Sequence, residues 1–257
     1  MRYVANFIKY KDLLAELVRK DIKIKYRHSY LGVLWSLLNP LLMMIVLTVI
    51  FSAVFKNHIE HFPLYVLTGR LIYSFFSDST SFAMNSIVDN SQLIKKIYVP
   101  KYFFPIARVL STSITSLVSL IPIFIVMLIS GVSFHLSNFL IVVPLALLII
   151  ISTGIGLILS VLMVFFRDLK HMYSIFMAVL MYMTPIFYPE SIIPHKYLMF
   201  IELNPMYPIL DMFRTLLNDG GGLHTSSLLL SCTYALFYLL VGLFLFYKKQ
   251  DRFIFYI

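Results

Sequence analysis

The sequence predicts an all-α integral membrane protein. It has six transmembrane helices, an amino-terminal interfacial amphipathic helix, and short re-entrant outer helices between spans five and six. Three observations carry this. The 58 residues from 109 to 166 contain no Asp, Glu, Lys or Arg. A soluble domain must solvate its surface with charge, whereas a bilayer requires such a run, since about 20 apolar residues cross a hydrocarbon core roughly 30 Å thick. The composition is 60% hydrophobic, 16% aromatic and 13% charged, with a mean hydropathy of +0.87. The basic residues border the apolar runs, so the net charge of +9 reads as membrane topology rather than nucleic-acid binding.

Residues 1–29 form the interfacial segment. At 100° per residue, Lys9, Asp12, Glu16, Arg19, Lys20, Lys23 and Arg27 gather on one arc of a helix over 3–27. Phe7, Tyr10, Leu13, Leu14, Leu17, Val18, Ile22 and Ile24 take the other, so the apolar face is expected in the acyl boundary. The segment is either a topological anchor or a device in which Lys23, Lys25 and Arg27 gather an anionic lipid head group. Arg suits phosphate geometry and Lys supplies a point charge. Eight basic and three acidic residues among the first 27, without an apolar core, predict no cleavable signal peptide.

Residues 30–257 form the membrane domain, with spans at about 30–55, 63–88, 104–130, 139–166, 171–189 and 225–247. At the first, Leu31-Gly32 is a hinge for lipid entry or a simple corner, because glycine permits the bend. Pro40 within it cannot donate the backbone bond to residue 36 and should bend the helix. Span two holds Arg70 and Asp78, tolerable where they face a cavity. They stand about 12 Å apart along a helix and do not pair directly. The Asn90–Lys101 connection is amphipathic. Leu93, Ile94, Ile97 and Tyr98 can fill a partner's groove while Lys95 and Lys96 stay wet, or the segment is a plain solvated loop. Arg167 and Asp168 close span four as exposed helix-end charges, individually worth little. Between spans five and six, the apolar runs Tyr197–Leu203 and Tyr207–Leu217 are too short to span and too apolar for open water, which suggests helices dipping into the outer leaflet. Gly220–Gly222 is a flexible entry to the last helix.

Seventeen of the 21 Lys and Arg residues lie before residue 28, in 89–108, in 167–170 or after Tyr247. The positive-inside bias therefore puts both termini and those connections in the cytoplasm. The single cysteine, Cys232, excludes an internal disulfide framework.

Five strings, in order along the chain, resemble one family. They are Lys25-Tyr26-Arg27-His28-Ser29-Tyr30-Leu31-Gly32-Val33-Leu34-Trp35-Ser36-Leu37-Leu38-Asn39-Pro40, Leu93-Ile94-Lys95-Lys96-Ile97-Tyr98-Val99-Pro100, and Phe165-Phe166-Arg167-Asp168-Leu169-Lys170-His171. Thr184-Pro185-Ile186-Phe187-Tyr188-Pro189 and Leu203-Asn204-Pro205 complete the set. Together they are similar to the permease subunits of ABC polysaccharide exporters. One position departs: Arg70 stands where that family usually has an apolar residue.

The resemblance implies a half-transporter in which two copies of the permease join two separate ATPase chains in a bacterial or archaeal cell (inner) membrane. Such a machine moves lipid-linked O-antigen, capsular glycan, rhamnan or teichoic acid outward, on a polyprenyl-pyrophosphate or similar carrier. It implies that Leu93–Ile97 docks on the ATPase, that the Arg167-Asp168 turn contacts it too, and that the outer helices form a gate. No G-x-x-x-x-G-K-[ST] string occurs among the nine glycines. ATP and Mg therefore belong to the partner, and this chain is expected to carry no cofactor or metal of its own.

Sugars can lay C–H faces on aromatic rings. Tyr73, Phe75 and Phe76 on span two, with Tyr182, Phe187 and Tyr188 on span five, are candidates for a glycan path. Most other aromatics serve as lipid contacts or interfacial belts. A membrane enzyme on the same carriers is disfavoured, because the histidines fall at span ends or in loops and Asp78 is the sole carboxylate well inside a span. No catalytic residue is predicted. An ion-coupled carrier would have only Arg70 and Asp78 for its ions, and no internal repeat is visible. A permease for drugs or small lipids is the remaining alternative.

Overall fold

Among the described residues, four helical segments are long and apolar enough to cross a membrane: Gly32–Phe51, Phe103–Ser130, Leu136–Phe165 and Thr225–Phe255. The computed structural model describes residues 10–27, 30–55, 59, 61–96, 99–218 and 220–257, and every regular element among them is helical. In chain order these are α1 (Lys11–Tyr26), α2 (Trp35–Phe55), α3 (Phe62–Asp89), α4 (Ser91–Lys96), α5 (Phe103–Val118) and α6 (Leu120–Ser130). They continue with α7 (Val142–Phe165), α8 (Leu169–Met183), α9 (His195–Glu202), α10 (Tyr207–Asn218) and α11 (Thr225–Lys249).

Two expected spans look different from the four. Helix α3 has 28 residues, about 42 Å of helix, but Arg70, Asp78 and Asp89 lower its hydropathy. Helix α8 has only 15 residues, about 22 Å, and stops short of the expected 171–189 span. The cause is local. Pro185 disfavours helical backbone at the preceding residue, and Thr184 is extended at φ −87°, ψ 132°. The expected third span is also broken. A tight turn at Ser119 divides α5 from α6, three residues before Pro122, which cannot donate a helix hydrogen bond.

Helix α7 runs through the centre, against α3, α5 and α11. Its glycines let backbones approach, as small residues do between membrane helices. A side chain on Gly154 would collide with the backbone of Tyr238 and Leu239, and one on Gly242 would lie 2.5 Å from the Gly154 carbonyl oxygen. On another side of α7, Gly156 leaves room for Ala83 of α3. The main core gathers Leu64, Leu67, Ile72, Met127, Leu148 and Phe213.

A second core lies at the α1 end of the bundle. Leu14, Leu17 and Val18 of α1 pack with Ile94, Phe103, Phe104, Val161, Phe246 and Phe253. The apolar face of α1 is therefore largely covered by protein, not by acyl chains as its amphipathic pattern suggested. Phe103 and Phe104 provide a close-packed partner, and Asp21 on the same side needs a cation that lipid tails cannot supply. Ile24 remains 57% exposed. The stretch after Tyr247 is likewise not a free basic tail. Gln250–Phe255 forms a 3-10 turn that buries Phe253 edge-on to Phe246 at 5.3 Å. Lys101 Nζ donates to the Gln250 carbonyl at 2.7 Å and Arg167 Nη2 to that of Tyr256 at 3.1 Å.

At the other end, the short α9 and α10 appear where two short apolar runs predicted helices. Arg214 of α10 donates to the carbonyls of Pro185 (2.8 Å), Tyr65 (3.2 Å) and Ile186 (3.4 Å), and its guanidinium lies 3.4 Å from the Tyr65 ring centroid. It thereby holds the extended segment after α8 against α3.

Candidate functional site

The polar residues of α3 recur with helical spacing. Arg70, Ser74, Asp78 and Ser81 form one stripe, because residues three or four apart share a face. Helix α5 carries a matching stripe of Ser111, Thr112, Thr115 and Ser116, continued by Ser119 at the turn that follows. Between them, closed by the end of α1 and the start of α2, lies a cavity of about 380 Å³. A second opening of about 380 Å³ adjoins it and shares Lys25, Asp78 and Thr115. A polar groove thus runs along α3, set into an otherwise apolar bundle.

Many hydroxyls in the α5 wall bond back to their own helix. Ser111 and Thr112 donate to the Arg108 carbonyl at 2.9 Å, and Thr115 to that of Thr112 at 3.0 Å. Such bonding satisfies the donor and leaves oxygen lone pairs available. Lys25 Nζ donates to Thr115 Oγ1 at 3.1 Å, so α1 touches α5 at the cavity wall. The Tyr26 and Ser36 hydroxyls meet at 2.8 Å, and Ser119 donates to the Ser36 carbonyl at 3.1 Å. Gly32, at φ +46°, makes the corner between α1 and α2 in a conformation that favours glycine, and lines the cavity.

Behind the groove, Arg108 joins three elements. It pairs with Asp21 of α1 at 3.3 Å and Asp89 of α3 at 3.5 Å, and its guanidinium lies 3.8 Å from the Phe82 ring centroid. Burial pushes the Asp21 carboxyl above its ordinary range, opposed by the charge of Arg108. Lys20 adds a bond to Asn90 Oδ1 at 3.2 Å. Helix α1 is therefore tied to the elbow from which α4 departs.

The residues singled out from sequence divide accordingly. Of Lys23, Lys25 and Arg27, all exposed, Lys25 lines both openings. Gly32 is in the cavity wall and Leu31 is exposed beside it. In α4, Lys95 and Lys96 are exposed and Leu93 is half-buried, but Ile94 is 6% exposed, packed inside this chain. Ile97 and Tyr98 lie outside the described residues. Arg167 and Asp168 are exposed at the α7–α8 turn. Among the aromatic candidates, only Phe75 lines the cavity. Tyr73 is buried and donates to the Met177 carbonyl, Phe76 is in the core, and Phe187 is buried against Phe51. Tyr188 bonds the Tyr182 carbonyl, and Tyr182 is exposed on the surface of α8.

Residues 12–218 match the family model described as ABC-2 type transporter. The chain belongs to the ABC-2 type transporter family. Within it, the chain is 31% identical to the O-antigen export system permease protein RfbA of Klebsiella pneumoniae, over 94% of this chain and 93% of that one. The corresponding protein of Myxococcus xanthus is 30% identical, with 84% of each chain covered. The polysialic acid transport protein KpsM of Escherichia coli is 26% identical over 94% of this chain and 95% of its own. The matched region of this family member includes the α3 and α5 stripes and the part of α1 from Asp12.

The sequence marks Arg70 and Asp78 as charges tolerable where they face a cavity, but the α5 wall was not read from it. The signal was available in part. Ser111, Thr112, Thr115, Ser116 and Ser119 stand in an otherwise apolar stretch at helical spacing. The ion lattice was harder to see, because Arg108 borders the charge-free run and was grouped with the basic connections.

Proposed function

We propose that this chain is the membrane-spanning subunit of an ATP-driven exporter that moves a lipid-linked cell-surface polysaccharide from the cytoplasmic face outward. The observation that carries the reading is similarity over nearly the whole chain to permeases named for O-antigen export, reinforced by that to a polysialic acid transport protein. In this reading α3 and α8 complete six spans. The bias of Lys and Arg supports cytoplasmic termini. Helix α1 lies at the inner interface, where Lys23, Lys25 and Arg27 meet the carrier's head group and Leu31-Gly32 forms the entry corner. The short α9 and α10 dip into the outer leaflet as a gate.

The working unit pairs two copies of this chain with two ATPase chains that bind ATP and Mg. On this reading the second copy meets α2 and α8, whose outward residues, among them Ile45, Val49, Ile175 and Val179, are exposed in the single chain. Leu93, Lys95 and Lys96 of α4, with Ile97 beyond it and Arg167 and Asp168 at the next turn, offer the ATPase its contact. Ile94 anchors that contact from within.

Deleting the coding sequence should abolish surface polysaccharide while lipid-linked polymer accumulates inside the cell. Inverted vesicles holding this chain and its ATPase should take up the polymer with ATP, and do so equally with an ionophore present. Normal surface polymer in the deletion strain, or uptake that collapses with the ion gradient, overturns the reading.

A further inference from the structure

An arginine at bilayer depth persists where it faces a partner or a polar cavity. Arg70 faces a cavity. Its contacts with the described residues are weak for a group with five N–H donors: Met181 Sδ lies 3.6 Å from Nη1, and the Tyr73 ring centroid is 5.8 Å away. Among the described residues, the carboxylates within 4.0 Å of a basic side chain serve Arg19, Arg108 and His224, and none serves Arg70 or Lys25. Both cations line the same cavity, where Asp78 is the single carboxylate among the described residues, leaving that lining one positive charge in excess.

The rest of the wall adds a second requirement. Ser36, Asn39, Ser74 and Ser116 bring hydroxyl and amide groups, while Trp35 and Phe75 present flat apolar faces. At about 380 Å³ the space falls in the range of ordinary small-ligand sites. Two cations, neutral donors and apolar walls suit an oxyanion carried on an apolar chain. An arginine fork matches phosphate bidentately, and a lysine adds a point charge.

We propose that Arg70 and Lys25 form an intramembrane oxyanion site that takes the phosphate or diphosphate of a lipid-borne ligand. Asp78 is its counter-charge, which offsets the cations in the empty cavity and weakens the hold on the ligand so that it can leave. The identity of that ligand as an export intermediate rests on the reading above; the chemistry of the site does not.

The only tryptophan of the chain, Trp35, lines the cavity and reports on it directly. The full chain in phosphatidylcholine nanodiscs is titrated with farnesyl diphosphate, farnesol and inorganic pyrophosphate, following Trp35 emission. Farnesyl diphosphate should give a saturable change and farnesol none. Arg70→Met and Lys25→Met should each weaken binding by about tenfold, Arg70→Lys by less, and Asp78→Asn should tighten it. Circular dichroism identifies any variant that fails to fold, and the opposite signs expected at Arg70 and Asp78 cannot both come from misfolding. Nanodiscs doped with phosphatidylglycerol distinguish the source. Competition assigns the site to bilayer phospholipid phosphates, and its absence assigns the site to prenyl-linked ones. Equal affinity for farnesol, or folded Arg70→Met and Asp78→Asn chains that titrate like the parent, overturns the proposal. If export persists in that event, the permease reading stands without the site. A parent chain that binds farnesyl diphosphate but exports no glycan removes the permease reading and leaves the site.

Discussion

Asp21 and Arg108 are 7% and 11% exposed and sit 3.3 Å apart, with Asp89 on the far side of the guanidinium. Removing one member of a buried pair strands the other, at a cost of about 3–5 kcal/mol. The exposed side of this lattice, toward Asp89, brings the expected loss to the lower end of that range. Asp21→Ala and Arg108→Ala should each lower the thermal midpoint in detergent and open α1 to protease, and the double variant should lose less than the sum, by about 1–3 kcal/mol of coupling. Additive losses would mean that the pair does not hold α1 down. The single residues were legible from sequence in different degrees. Arg70 and Asp78 stood out because charge inside an apolar run is conspicuous. Asp21 sat on the apolar side of its helix without an evident reason, and its partner comes from another element. Arg214 had no assigned role in the sequence, and its three carbonyl partners follow from the helix break at Pro185, a tertiary event that no spacing in the sequence encodes.

Helix α4 has two faces with different expected roles, and variants can separate them. Leu93→Asp, or Lys95→Glu with Lys96→Glu, should weaken copurification of the ATPase by roughly tenfold while leaving the chain folded, since these side chains are exposed or half-buried. Ile94→Asp should unfold the α1 end of the bundle instead, because it places a charge among Leu14, Phe103 and Phe253. Size-exclusion profiles and partner pull-down distinguish the two effects. If Ile94→Asp is soluble and monodisperse while Leu93→Asp aggregates, the face assignment is reversed. Elements with long apolar runs matched the sequence closely, as Thr225–Lys249 and Val142–Phe165 illustrate. The misjudged boundaries were those where one residue decides. Pro185 ended α8 early, and the turn at Ser119 split a span that hydropathy alone reads as continuous. The packing of α1 on Phe103 and Phe104 was not legible either, because an amphipathic stripe looks the same whether protein or lipid covers it.

The whole molecule is centred on α7, packed against α3, α5 and α11, while α2, α8 and the outer side of α11 leave apolar surface open in the single chain. The membrane class, the family and the order of the elements were all present in the sequence as runs, borders and short strings. The groove was not, because it exists only where stripes from α3 and α5 face each other. One dimension of the bundle reaches beyond the protein. Helix α8 supplies 15 residues, or about 22 Å, where the hydrocarbon layer is about 30 Å. Such a shortfall is met by thinning the lipid or by filling the remaining depth with protein, each at a modest cost per ångström. Where α8 spans the layer and thinning meets the shortfall, the bilayer beside it is compressed and acyl-chain length becomes a control on turnover. In proteoliposomes of phosphatidylcholines with 14- to 22-carbon chains, ATP-driven glycan uptake should peak at the thinner end and fall by several-fold at the thicker. Uptake indifferent to chain length would show that the segment after Pro185, held down by Arg214, fills the missing depth by itself. A peak in thin bilayers would make membrane thickness, and so the fatty acids a cell is synthesising, a brake on how fast it can build its coat.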